Sequence, residues 1–230
     1  MNNFINKYLF QSLACSALLA VSLLITLLTS MPAQAGSYED FFMAVRRNLP
    51  QEVATLLKRG FDPNTIDAER GETGLILALR EGHPAVASLL MKAPGIDLEA
   101  KARNGDTALM IAAYKSNKAA VQALLALDAQ VNRVGWTALH YAATVGANDI
   151  VQLLLDASAY IDAESPNQTT PLMMAARGGH ILTVKLLLDE GADATLKNDQ
   201  GLSALDLAKK FDHTDIVEGL TYRLKRAGKL

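Results

Sequence analysis

Cysteine is nearly missing from this chain: Cys15 is the single one among 230 residues. One thiol makes no disulfide, and no pair of cysteines exists to anchor a metal. Strong charge of either sign is missing too. Lys and Arg total 22, Asp and Glu total 24, and the net charge is −2. A basic footprint for nucleic acid is therefore absent, so no nucleic-acid partner is expected. No glycine-rich phosphate loop occurs. Gly178-Gly179-His180 comes nearest and reads as a turn.

Long apolar runs are confined to the N-terminus. Met1 to Tyr8 is polar with one cation, Lys7, and Leu9 to Leu28 is almost wholly apolar. Thr29-Ser-Met-Pro-Ala-Gln-Ala35 follows. Pro32 breaks a helix, and Ala33 with Ala35 gives the small-x-small pattern of a signal-peptidase site. Residues 1–35 are read as a secretory signal removed after Ala35. Removal takes away Lys7 and Cys15, leaving 21 basic against 24 acidic residues, or −3. The alternative is an uncleaved anchor, since about 20 apolar residues span a bilayer. Membrane contact is expected only in that case. Cys15 fits a lipid-modification signal poorly, with Ser12 where Leu is usual and most of the apolar run behind it. A mature chain without thiols suits an oxidising compartment, and the expectation is a bacterial periplasm.

What is present is a returning phrase. Thr107-Ala-Leu-Met-Ile-Ala-Ala113, Thr137-Ala-Leu-His-Tyr-Ala-Ala143 and Thr170-Pro-Leu-Met-Met-Ala-Ala176 are copies, with weaker ones from Thr73 and Ser203. Their starts are 34, 30, 33 and 33 positions apart. A period of this size predicts stacked units with a continuous core, not a globule around one pocket. In each unit the Thr hydroxyl caps a first helix. A turn follows: Gly82-His83, Ser116-Asn117, Gly146-Ala147, Gly179-His180. A second helix then carries Val and paired Leu at helical spacing: Val121, Leu124, Leu125; Val151, Leu154, Leu155; Val184, Leu187, Leu188. The small Ala pairs let neighbouring helices approach closely.

With Thr-Pro-Leu at 170–172, Gly-His at 82–83 and 179–180, Leu-Leu-Leu at 153–155 and 186–188, and Gly-Ala-Asp at 191–193, the chain resembles the ankyrin-repeat family over about residues 38–227. The resemblance implies an all-α solenoid of about six helix-turn-helix repeats with short β-hairpin or loop fingers. The repeat domain is 36–230, with units at 38–66, 67–101, 102–131, 132–164, 165–197 and 198–227. The first and last units read as polar end caps.

Three departures stand out. The spacing of 30 places a shortened finger at Val131-Asn-Arg-Val-Gly135, and an extra residue lies around Lys92-Ala-Pro-Gly-Ile96. The family's Thr-x-x-His pairing survives only as Thr137 and His140. Ile76, Met110, Met173 and Asp206 hold the other His positions, so those copies are expected to rely on packing instead.

Chemistry is poorly served by these residues. His83, His140, His180 and His213 fall one to a unit, at positions where the repeat itself uses His, while a zinc site needs three or four ligands together. Asp62, Asp97, Asp128, Asp162 and Asp193 read as one recurring position near the finger starts, which is turn chemistry. Met43, Met110, Met173 and Met174 read as core filling. No catalytic residue, metal or cofactor is expected. An enzyme or metal carrier built on the repeats is the least supported reading.

The resemblance implies a partner surface on the fingers and the ends of the first helices. Mapped unit by unit, those positions include Arg80, Tyr114, Lys115, Trp136, Val145 and Arg177. Tyr, Trp and Arg are the residue types enriched among interface anchors. The expected role is a non-catalytic adaptor, protector or inhibitor that binds another protein. A membrane-tethered scaffold with the N-terminal helix retained is the alternative.

Overall fold

The computed structural model describes residues 36–230, so the expected signal segment lies outside the described residues. The described chain is helical: α1 (36–46), α2 (Pro50–Lys58), α3 (Gly74–Glu81), α4 (Pro84–Met91), α5 (Ala108–Tyr114), α6 (Lys118–Ala126), α7 (Ala138–Val145), α8 (Asn148–Asp156), α9 (Pro171–Arg177), α10 (Ile181–Asp189), α11 (Ala204–Lys210) and α12 (Thr214–Arg226). From α3 onward the odd-numbered helices line up beside one another, and each packs on the even-numbered helix that follows it. The fold is an all-α solenoid.

The returning Thr starts each first helix as expected. Thr73, Thr107 and Thr170 accept the amides of Ile76, Met110 and Met173 at 3.4–3.5 Å. Ser203 does the same for Asp206 at 3.2 Å. These caps are each worth about 0.5–2 kcal/mol. Asp206 departs from the expectation of pure packing. Its carboxylate accepts from the Ser203 amide (3.0 Å) and hydroxyl (2.6 Å), closing a reciprocal capping box. Asp serves where His serves in α7, because either side chain can accept from the cap residue.

The hairpin turns need left-handed backbone. Gly82, Gly146 and Gly179 supply it, and Asn48, Ser116 and Asp212 adopt it with φ of 54°, 51° and 58°. Asn and Asp tolerate this region best among residues with a Cβ. His83, His180 and His213 then reach back one unit to the carbonyls of Val45, Thr144 and Arg177, at 2.9–3.0 Å. These bonds fasten the second, fifth and sixth hairpins to their predecessors.

The core runs along the stack as one cluster. Leu79, Leu90, Leu109, Leu124, Leu139, Leu154 and Leu172 are fully buried, as are Ala112, Ala113, Ala142 and Ala143. Each buried Leu contributes about 1.5–3 kcal/mol. Met110 and Met173 belong to this core and half-buried Met174 packs against it, but Met43 is exposed, so the core reading fails for Met43.

The fingers are loops. The only bridge-type pairing among the described residues joins Ile66 and Thr73. Each finger instead closes on a backbone bond: Asp67 to Glu72, Ala102 to Asp106, Ser165 to Thr169 and Asn198 to Leu202, at 2.8–3.0 Å. The shortened finger at 131–135 makes no such bond among the described residues, and Val134 at its tip is 99% exposed.

The recurring Asp residues do not share one position. Asp62, Asp97 and Asp193 each accept the amide two residues on, at 2.9 Å, as turn-forming Asp does. Asp128 instead takes the left-handed corner, with φ of 60°. Asp162 belongs to a separate ladder between units. Asn64, Glu99, Asn132 and Asp162 accept the backbone amides of Asp97, Gln130, Tyr160 and Asp193 at 2.7–3.0 Å.

Candidate protein-binding surface

The fingers and first helices form one face, and its recesses connect. A recess beside α1 is lined by Tyr38, Phe42, Arg46, Arg47 and Glu69. Glu69 also lines the next, of about 400 Å³, with Arg70, Glu72, Arg80, Arg103 and Asn104. A smaller one of about 180 Å³ is walled by Tyr114, Trp136, Tyr141, Thr144 and Met174. Met174 is shared with a fourth, which includes Arg177, Lys210 and Phe211.

A buried polar tie joins the second recess to the third. Arg80 Nε lies 2.7 Å from Glu72 Oε1, and its Nη2 lies 3.3 Å from Asp106 Oδ2. The Tyr141 hydroxyl donates to the other Asp106 oxygen, and the Asn104 amide donates to Asp106 at 2.8 Å. Burial, with the bond to Asp106 second, pushes the Tyr141 phenol above its ordinary range. Tyr141 therefore stays a donor at any physiological pH. The guanidinium stands between two buried carboxylates, so neither acid is left uncompensated. Glu72 Oε2 is buried with no hydrogen-bond partner among the described residues.

Tyr114 and Trp136 meet in the third recess. Tyr114 is 46% exposed and stands edge-on to Tyr141 at 6.0 Å, 79° between planes. Trp136 is half-buried and sets its edge against His140 at 5.2 Å. Arg177 is exposed at the end of α9, its guanidinium 5.4 Å from the Phe211 ring centre. Arg80 is mostly occupied by its two acids, with 24% of its side chain exposed. Lys115 caps α5 and is exposed, and Val145 ends α7 half-buried. Neither lines the aromatic recess. Tyr141 and Met174 are surface-forming residues that the repeat pattern did not mark. A signal existed for Tyr141. It stands where other copies carry Leu77, Ile111 and Leu207, and a ring with a hydroxyl at an apolar position implies a buried acceptor.

His140 is structural. The Thr137 amide donates to its Nδ1 (3.2 Å), and its Nε2–H donates to the Thr169 carbonyl of the next unit (2.9 Å). Burial lowers its pKa from 6.5 to about 4, so it is neutral at physiological pH. Among the described residues no group of three His, Cys, Asp or Glu side chains could hold a metal ion.

Known proteins are similar to this chain in sequence and fold. The chain is 31% identical over 183 residues to the human SH3 and multiple ankyrin repeat domains protein 2, covering 78% of this chain and 10% of that protein. It is 30% identical over 188 residues to the mouse B-cell lymphoma 3 protein homolog, covering 79% of this chain and 42% of that protein. The chain thus spans less than half the length of either relative. The crystal structure of the Bcl-3 ankyrin repeat domain superposes with a TM-score of 0.65 at 31% identity, covering 77% of this chain and 81% of that one. The family profile described as "Ankyrin repeats (3 copies)" matches residues 41–133, 91–165 and 158–226. With overlapping matches from the first unit to the last, the chain belongs to the ankyrin-repeat family.

Proposed function

We propose that this protein is exported and works as a non-catalytic adaptor, protector or inhibitor, binding another protein across the finger-and-first-helix face. The family fold is in general an interaction module. The observation that carries the reading is the aromatic recess. Tyr114, Trp136 and Tyr141 leave partly exposed rings at the middle of an otherwise polar face. Large rings in a desolvated setting are where binding energy concentrates. Lys115, Val145 and Arg177 extend the proposed surface at the ends of α5, α7 and α9, and Arg80 fixes the fingers through its buried acids. Export to a bacterial periplasm is supported by residues 1–35, where an apolar run to Leu28 is followed by Ala-Gln-Ala35, and by a remaining chain without cysteine.

Two experiments test this. The mass of the protein recovered from an exporting host is expected to lack residues 1–35. A retained segment supports the membrane-tethered scaffold instead. The recovered protein, used as bait in extract of the same compartment, is expected to capture a partner. Changing Tyr114 and Trp136 to Ala should cut that capture at least about tenfold while helical circular dichroism is kept. Undiminished capture by the folded variant would remove the recess from the function.

A further inference from the structure

The free charge of this face is opposite in sign to that of the chain. Its acids are already neutralised: Asp67 by Arg46 at 3.4 Å, and Glu72 with Asp106 by Arg80. Its exposed cations are not. Arg70, Arg103, Lys115, Arg177 and Lys210 form no ion pair among the described residues. The exposed acids of this face are fewer: Glu39 beside α1, Glu69 and Glu81 in the second unit, and Asp199 on the last finger. Asp149, Asp156, Asp189 and Glu190 lie on or just after the second helices. A chain of net charge −2 thus gathers uncompensated positive charge along one groove. Such a separation guides binding of oppositely charged partners.

Resting on the adaptor reading, we propose that the groove recognises an acidic, extended polypeptide segment carrying one large apolar side chain. The apolar side chain enters the recess of Tyr114, Trp136, Tyr141, Thr144 and Met174. At about 180 Å³ that recess has room for one such group, not for a row of them. Acidic residues on either side meet Arg70 and Arg103 in one direction, Arg177 and Lys210 in the other, and Lys115 beside the recess. An extended chain suits the spacing. Packed helices lie 8–10 Å apart. About 12 extended residues reach ~40 Å and so cross four units, whereas the same length of helix reaches only ~18 Å. A single-stranded nucleic acid would also seek cations and rings. However, bases need an open ring face, and Tyr114 and Tyr141 stand edge to face at 79°, so that one ring covers a face of the other.

The test uses the protein as the cell processes it from the full-length chain. A fluorescein-labelled peptide of about 12 residues (Asp, Glu and Ser around one central Phe) is titrated by anisotropy, a length set by the ~3.3–3.6 Å reach per residue. Binding should weaken about tenfold or more when Phe becomes Ser or when the acids become Lys. It should also weaken as salt is raised. Lys115→Glu with Arg177→Glu should lose about tenfold or more, and Tyr114→Ala likewise. Lys185→Glu, on exposed α10, should change nothing. The proposal is overturned if the acidic peptide does not bind, if the Lys-bearing peptide binds as well, or if oligo-dT or phosphatidylglycerol vesicles bind more tightly. Should the peptide fail while Tyr114→Ala still abolishes capture of a protein partner, the acidic segment is wrong and the adaptor reading stands. Should both fail, both are wrong.

Discussion

Gly74 opens α3 where the other first helices carry Ala108, Ala138, Pro171 and Ala204. A Cβ there would sit 2.7 Å from two ring carbons of Phe41. Phe41 cannot give way. It is fully buried, stacked on Phe61 at 4.5 Å and edge-on to Phe42 at 5.2 Å. Replacing a helical Gly by Ala ordinarily gains up to about 1 kcal/mol. Here the clash reverses the sign, because overpacking a filled core costs about 1–3 kcal/mol. Gly74→Ala is therefore expected to lower the denaturation midpoint, and Gly74→Ala with Phe41→Leu to recover part of the loss. A gain in stability from Gly74→Ala alone would disprove the close approach. The Phe41 ring was not legible in the sequence, since a glycine in a repeat position does not say which distant side chain lies against it.

The helical elements were the most legible, because Thr caps and Leu spacing act locally. The fingers were less so. Length alone placed the shortened one at 131–135, but not how the stack survives it. Neighbouring fingers elsewhere join backbone to backbone: Arg103 donates to the Arg70 carbonyl (3.1 Å) and Asp199 to that of Asn167 (3.1 Å). At the short finger a side chain substitutes. The Arg133 guanidinium donates to the Gly105 carbonyl (3.0 Å) and contacts Met110 Sδ at 3.4 Å. Arg133→Ala should leave Gly105 unpaired on that side and loosen this joint. The expected cost is about 1–3 kcal/mol, as for a lost hydrogen bond involving a charged group. Hydrogen exchange should accelerate in the 102–106 and 131–136 loops. Exchange unchanged there would show that packing, not Arg133, holds the short finger. The polar tie of Arg80, Glu72, Asp106 and Tyr141 was illegible for the same reason: it joins residues from three units, and periodicity speaks only of one unit at a time.

A stack in which each unit touches only its neighbours has stability distributed over joints, and its ends open first. His140 makes one joint sensitive to acid. It lies in the fourth unit and donates to Thr169 in the fifth, so it fastens these two internal units. Its pKa is about 4 when folded against 6.5 as the ordinary value. The folded state therefore binds its proton more weakly than the unfolded state. The neutral ring's contribution is whole above pH 6.5 and declines as pH falls from there to about 4, by about 1.4 kcal/mol per pH unit. Over that window the loss from this group is about 3 kcal/mol. Acidification should consequently weaken the middle before the ends. Hydrogen exchange followed between pH 6.5 and 4.5, corrected for intrinsic rates, is expected to show α7 and α9 losing protection relative to α3 and α11. His140→Gln, which keeps a donor and an acceptor but does not titrate in this range, should remove the selective loss. Uniform loss along the stack in the unchanged protein would mean that carboxylate titration, not this imidazole, governs its response to acid.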